Sequence, residues 1–322
     1  MNLVTGGTGL VGGWLARMLL EEGQEVATFS RARPGAHLML APFGSKWIHH
    51  QGTLERMSDV LGAVKACRPE VLYHIGGMLS IPSEANPQSS YGTNIAGIFH
   101  ILEAARLFDV KTVCYASTNG TYGLDIDGLP VIDDRTLQRP FTIYGVGKVF
   151  GELLGRYYNR KYGISFRSIR LPAVVGPGAK VKHVSVYNTW AIEKSFYGEP
   201  FEIFVTPETV CPIIYFKDAA RSFIDLSRAP ADAIKTINYN LAGSKPIPSA
   251  GQLRDTVMRF LPQAKLTFNP ETLPMAFQKM HQGITWDDTP ALTEWGWKVK
   301  YNLEATVEDF IRELKEHGDW YR

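Results

Sequence analysis

The chain has 322 residues, of which 45% are hydrophobic and 20% charged; 34 basic and 32 acidic side chains leave a formal charge of +2. That length suits one large α/β unit with a smaller lobe, and the composition excludes disordered, fibrous and collagen-like chains. The near-neutral charge leaves no basic field for nucleic acid, and no apolar run approaches the roughly 20 residues that cross a bilayer.

Met1-Asn2-Leu3-Val4-Thr5 lacks the basic and apolar regions of a cleavable leader. Cys67, Cys114 and Cys211 are too few and too far apart for a disulfide framework or a zinc site. No histidine spacing suits a metal. The expectation is a cytoplasmic protein that handles a small molecule, with no metal and neither nucleic acid nor membrane as partner.

Short β-rich runs alternate with helical stretches through the first half, the pattern of a parallel sheet covered on both faces. Residues 3–5 read as the end of a first strand, and 10–22 as a helix with Trp14, Leu15, Met18 and Leu19 on one face. Strands follow at 25–30, more weakly at 46–49, and at 71–75, then a helix over 89–108. A fifth strand at 112–116 leads into Ser117-Thr118-Asn119-Gly120, and a helix over 142–162 precedes a sixth strand at 165–170. After Pro172 the rhythm changes to loop chemistry, with a strand–helix unit in 210–226, a strand at 236–241 and a last helix over 304–316. The expected architecture is a Rossmann-type, doubly wound parallel sheet from residues 1–172 plus about 210–241. A smaller substrate-binding lobe is expected from about 173–209 and 242–322.

Gly6-Gly7-Thr8-Gly9-Leu10-Val11-Gly12 spaces glycines as G-x-x-G-x-x-G between a strand and a helix. In that context the helix N-terminus offers unpaired N–H groups and positive dipole to a pyrophosphate, while glycine lets the anion approach the backbone. The sequence therefore predicts a dinucleotide site, with Gly6, Thr8, Gly9, Leu10, Val11 and Gly12 on the phosphates. Sites that prefer NAD usually carry an acid at the end of the second strand. Here Ser30-Arg31-Ala32-Arg33 stands there instead. Two guanidiniums can hold a 2′-phosphate, so NADP is preferred and NAD stays open; the alternative is a pair of solvated surface arginines.

Tyr144 and Lys148 are four residues apart, so a helix sets them on one face. Thr118 lies just past the fifth strand, where open α/β sheets bind ligands. A hydroxyl, a phenol and an ammonium in one cleft suit proton abstraction from an alcohol, with Lys148 favouring the phenolate of Tyr144.

On these residues, and on Tyr122-Gly123 and Arg170-Leu-Pro-Ala-Val-Val-Gly-Pro, the chain resembles the extended short-chain dehydrogenases/reductases over essentially its whole length. The resemblance implies Tyr144 as general base, Lys148 on the nicotinamide ribose, and Thr118 on the substrate oxygen in place of the more usual serine. It further implies Ile75, Gly76, Gly77, Asn94 and Leu171 near the cofactor, with Asn94 more structural than catalytic. It implies a homodimer through the helices near 89–108 and 142–162.

Gly76-Gly77-Met78-Leu79-Ser80, residues 144–157, Cys211-Pro212-Ile213-Ile214-Tyr215, residues 237–242 and Glu294-Trp295-Gly296-Trp297 are similar to the short-chain-type L-threonine 3-dehydrogenases. That group implies substrate contacts from Ser80, Asn119 and Ser185 beside Thr118 and Tyr144. Ser80 read by itself is equally a helix-capping or loop hydroxyl. The chain departs from the group in lacking the acid after the second strand. Its substrate loop is Gly178-Ala179-Lys180-Val181-Lys182-His183-Val184-Ser185-Val186-Tyr187, and Met280-His281-Gln282 stands where the group has a tryptophan, although Asp287-Asp288 match. Lys180, Lys182 and His183 read either as an anion-attracting set or as a solvated charged loop. Trp286, Trp295 and Trp297 read as core or interface aromatics.

The expected activity is NAD(P)-dependent interconversion of a secondary alcohol and a ketone on a small β-hydroxy acid or amino acid. A nucleotide-sugar epimerase or dehydratase is the alternative, weakened by Ala173 where those relatives carry a diphosphate-binding asparagine. A cofactor-sensing protein without turnover is a second alternative, weakened by the presence of both Tyr144 and Lys148.

Overall fold

The computed structural model describes residues 1–31, 38–123, 126, 128–272 and 283–321. Seven strands form one all-parallel sheet: β1 (Asn2–Thr5), β2 (Val26–Ser30), β3 (Trp47–Gln51), β4 (Val71–His74), β5 (Thr112–Thr118), β6 (Ser165–Leu171) and β7 (Asn238–Asn240). Their order is β7-β6-β5-β4-β1-β2-β3, so the chain reverses direction across the sheet between β1 and β4. In open α/β sheets that reversal opens a crevice at the carboxyl ends of the strands.

The sheet is buried on both faces because its central strands are apolar at successive positions. Leu3 joins the cluster containing Leu72, Val113, Ile101 and Phe166, whereas its neighbour Val4 joins the opposite cluster with Leu15, Leu19, Ile169 and Phe223. The helices include α1 (Leu10–Glu21), α2 (Met57–Cys67), α3 (Ser80–Ala85), α4 (Gly97–Leu107), α5 (Ile143–Tyr162), α6 (Phe216–Arg228) and α7 (Leu303–His317); α1 and α6 pack in the Val4 cluster, and α2, α4 and α5 in the Leu3 cluster. A third cluster, with Tyr187, Ile192, Phe204, Tyr215, Val257 and Phe310, gathers residues that follow the break in rhythm at Pro172.

The predicted elements recur with shifts at their ends. Strand β5 runs to Thr118 because Ser117 and Thr118 still pair with Arg170 and Leu171 of β6. The helix read at 89–108 starts at Pro87 and carries a π turn at Tyr91–Ala96, in which Asn94 is buried. Such widened turns are rare and concentrate at functional sites. The strand read within 210–226 is Ile213–Tyr215, which pairs with Ala173–Val175 outside the central sheet; α6, which follows directly, packs on α1.

Helix α5 carries a glycine face. A Cβ on Gly151 would lie 2.6 Å from the Tyr115 hydroxyl, and one on Gly155 would lie 2.2 Å from the Phe166 ring. The absence of side chains there seats α5 directly on β5 and β6.

Candidate active site

The turn after β1 is built on backbone contact. Gly6 has φ +66°, and a Cβ on Gly12 would come within 2.4 Å of the Gly6 carbonyl oxygen. The turn closes with Gly9 N–H donating to the Gly6 carbonyl at 2.9 Å. Helix α1 then begins at Leu10 with no side-chain cap and no acid in its first turn. Its terminal N–H groups and dipole thus face an anion without competition, which fits a pyrophosphate. Thr8 and Ser30 share a hydroxyl–hydroxyl bond of 2.7 Å that ties this turn to the end of β2. Arg31 is exposed beyond it and forms no ion pair among the described residues; Arg33 lies outside them.

Segment 75–79 lies across the crevice. Gly76 N–H donates to the Thr5 hydroxyl at 3.2 Å, and that hydroxyl also bonds His74 Nδ1 at 2.7 Å. Burial holds the His74 imidazole down to about 3, so it is neutral. Asn94 accepts from Met78 N–H at 2.8 Å and donates to the Met78 carbonyl at 2.9 Å. Both ends of its amide are spent on the backbone, which makes Asn94 a scaffold for this segment. A Cβ on Gly77 would meet Asn94 Oδ1 at 3.1 Å and Lys148 Nζ at 3.4 Å, so the backbone passes close between them.

Thr118, Tyr144 and Lys148 converge at the carboxyl end of β5. The Thr142 hydroxyl caps α5 by accepting from Gly145 N–H at 3.1 Å, which starts the helix just before Tyr144. The Thr118 hydroxyl accepts from Gly120 N–H at 3.1 Å and lies near enough to the Tyr144 phenol to hold its pKa down. Lys148 is buried, donates to the Ala116 carbonyl at 2.7 Å, and lies 4.8 Å from the Tyr115 ring centre and 5.6 Å from that of Tyr144. Burial pushes Tyr144 up to about 12, partly opposed by the Thr118 hydroxyl. Burial also pulls Lys148 down to about 8, opposed by the Glu152 carboxylate. Lys148 is therefore still a cation at neutral pH. The geometry sets a hydroxyl, a phenol and an ammonium in one place, which suits proton transfer to and from an alcohol oxygen.

Beneath them lies a charged cluster that reading the sequence missed. Glu152 is fully buried, accepts from Ser117 at 2.5 Å, and pairs with Arg170 through Nη2 at 2.7 Å and Nε at 3.0 Å. Arg170 also donates to the Tyr122 hydroxyl at 2.6 Å, and Tyr122 donates to Asn240 at 3.0 Å. Burial raises the neighbouring Asp134 to about 7. The i, i+4 series Tyr144, Lys148, Glu152 on a glycine-rich face was the available signal for this cluster.

The remaining predicted substrate residues come from separate segments. Ser80 is the first residue of α3; Leu79 holds the cap position, so the helix-capping alternative for Ser80 falls away. Asn119 opens the short turn Asn119–Thr121. Ser185 bonds His183 at 3.3 Å, and burial brings that imidazole down to about 4. Lys182 pairs with Glu271 at 2.7 Å on the exposed surface. An uncharged His183 and a paired Lys182 weigh against an anion-attracting set. Ile75 and Leu171 end up beside the glycine turn and β5 respectively, and Trp286 and Trp297 are buried aromatics. Residues 280–282 lie outside the described ones.

A family model for the NAD dependent epimerase/dehydratase family matches residues 2–242. The chain is 30% identical over 316 residues to the mitochondrial L-threonine 3-dehydrogenase of Sus scrofa, covering 96% of this chain and 81% of that protein. The solved L-threonine 3-dehydrogenase of Trypanosoma brucei superposes with a TM-score of 0.87 at 26% identity, covering 98% of this chain and 97% of that one. The UDP-glucose 4-epimerase of Thermotoga maritima superposes with a TM-score of 0.83 at 22% identity over 98% and 99% of the two chains, a likeness of fold alone.

Proposed function

The chain belongs to the NAD-dependent epimerase/dehydratase family, and from that premise we propose that it oxidises and reduces a small β-hydroxy acid or amino acid at a secondary alcohol carbon, as an L-threonine 3-dehydrogenase does. The observation that carries this reading is the meeting of Thr118, Tyr144 and Lys148 at the carboxyl end of β5, on the side of the sheet where α1 begins without a cap. Tyr144 takes the proton from the substrate hydroxyl. Thr118 holds that oxygen, and Lys148 stabilises the phenolate with its charge. Ser80, Asn119 and Ser185 contact the rest of the substrate.

The cofactor is a nicotinamide dinucleotide, which supplies hydride transfer when bound. Gly6 to Gly12 hold its phosphates; Ile75, Gly76, Gly77 and Leu171 flank it, and Lys148 binds its ribose. Of its two forms NADP suits this chain better, because Ser30-Arg31 replaces the acid that would accept from a ribose 2′-hydroxyl. Residues 1–172 and about 210–241 form the dinucleotide-binding part, and about 173–209 with 242–322 form the substrate lobe.

The protein acts as a homodimer. Helical residues Tyr91 and Leu153 are 59% and 60% exposed, and Phe99, Val146, Phe150 and Tyr157 on the same two helical stretches are exposed as well. Exposed large apolar side chains gathered on two helices suit an interface. Three buried free thiols suit a reducing cytoplasm. Nicotinamide reduction followed by absorbance, with L-threonine and either NAD⁺ or NADP⁺, tests the reading. Turnover is expected with NADP⁺ ahead of NAD⁺; absence of turnover with both removes threonine as the substrate.

A further inference from the structure

Helix α3 presents Ser80 and Glu84 one turn apart, so the two side chains share a face. The segment around it is held at two points, of which Ser83 is buried. Ser83 is fully buried, donates to the Met78 carbonyl at 3.3 Å, and accepts from Asn94 at 3.4 Å. Gly77, three residues before Ser80, is closely seated on Asn94 and Lys148. The third point is at the surface: the Glu84 carboxylate accepts from the Ile143 backbone N–H at 2.8 Å. Ile143 is the first residue of α5 and directly precedes Tyr144. Its N–H is one of the donors that no intrahelical carbonyl can satisfy. Thr142 satisfies Gly145 and leaves Ile143 to Glu84.

We propose that Glu84 is a positioning residue: by bridging α3 to the first turn of α5 it fixes Ser80 against Tyr144, and so sets the width of the pocket that receives the alcohol. This deepens the dehydrogenase reading and rests on it. Glu84 touches neither the phenol nor Ser80; it works through the distance between the helices that carry them. Because the bridge is exposed, removing it leaves the anchors at Ser83 and Gly77 in place and the fold intact.

The test is a set of steady-state measurements with L-threonine and the preferred cofactor. Glu84→Ala is expected to lower kcat/KM by about tenfold, with most of the loss in KM, since a small misplacement of a reacting pair is enough for a loss of that order. Cofactor affinity should not change. Glu84→Gln keeps an oxygen acceptor for the Ile143 N–H and is expected to restore most of the loss. In a double-mutant cycle, Glu84→Ala added to Ser80→Ala should cost far less than it does alone, because the pocket wall it positions has already lost its hydroxyl.

Additive losses in that cycle would overturn the proposal, as would failure of Glu84→Gln to rescue, which would assign the effect to charge instead of position. Tyr144→Phe is run alongside. If it abolishes turnover while Glu84→Ala has no effect, the bridge is wrong and the dehydrogenase reading stands. If wild-type protein does not turn over L-threonine, or Tyr144→Phe retains turnover, the dehydrogenase reading falls and the bridge's purpose falls with it.

Discussion

The two ends of the reaction centre are built by opposite means. The cofactor end is a continuous turn, residues 5–12, in which backbone meets backbone: Gly12 on the Gly6 carbonyl, Gly6 on Gly76. The substrate end proposed above would draw Ser80, Thr118, Tyr144 and Ser185 from four separate segments. It is steadied from beneath by the buried side chains of Glu152 and Arg170. A local turn carries its own geometry wherever it follows a strand and opens a helix. An assembled pocket depends on every support beneath it. The cofactor site is therefore the robust end, and substrate choice is where this chain is free to differ from its relatives.

Substitutions should separate the two ends. Tyr144→Phe is expected to reduce turnover by about 10²–10⁴-fold, the usual worth of a positioned acid–base group. Cofactor affinity, measured by fluorescence of the reduced dinucleotide, should be retained; a parallel loss of both would merge the two ends. Glu152→Ala comes next, because it removes the nearest carboxylate of the buried Arg170 guanidinium and leaves only the longer pair with Asp134 at 4.0 Å beside the Tyr122 hydroxyl. Thermal unfolding should show a loss of about 3–5 kcal/mol.

Thr118→Ala is a smaller, pH-dependent effect. The Thr118 hydroxyl lowers the Tyr144 pKa against the rise caused by burial, so removing it raises that pKa further. The phenolate then forms only at higher pH, and the alkaline rise in alcohol oxidation should move upward by about one pH unit. A profile that stays in place would detach Thr118 from Tyr144. Smallest of all, Arg31→Asp at the exposed end of β2 should weaken NADP binding by about tenfold and leave kcat unchanged with NAD⁺. Equal effects on both cofactors would remove the 2′-phosphate contact.

Much of the fold was legible because strands such as β2 and β4 are short apolar runs and α1 and α5 announce themselves locally, whereas β3 and β7 carry polar residues such as His49, His50, Asn238 and Asn240. The glycine spacing gave the cofactor turn, and the i, i+4 spacing gave Tyr144 with Lys148. The boundaries that shifted were those decided by neighbours. Strand β5 continues to Thr118 only because β6 is there to pair with it. The segment at 91–96 opens into a π turn in which Asn94 spans to Met78.

By itself, then, the sequence determined a doubly wound sheet, a glycine turn between strand and helix, and a tyrosine and a lysine on one helix face, since periodicity and short-range spacing encode all three. The tertiary structure alone decided what supports the pair. Ser117 and Arg170 converge on Glu152 from two strands, and Glu84 reaches Ile143 across 59 positions of chain. Burial, which only the assembled fold creates, moved Tyr144 up and Lys148 down. No window of sequence contains those contacts, because they exist only once distant segments have excluded water between them.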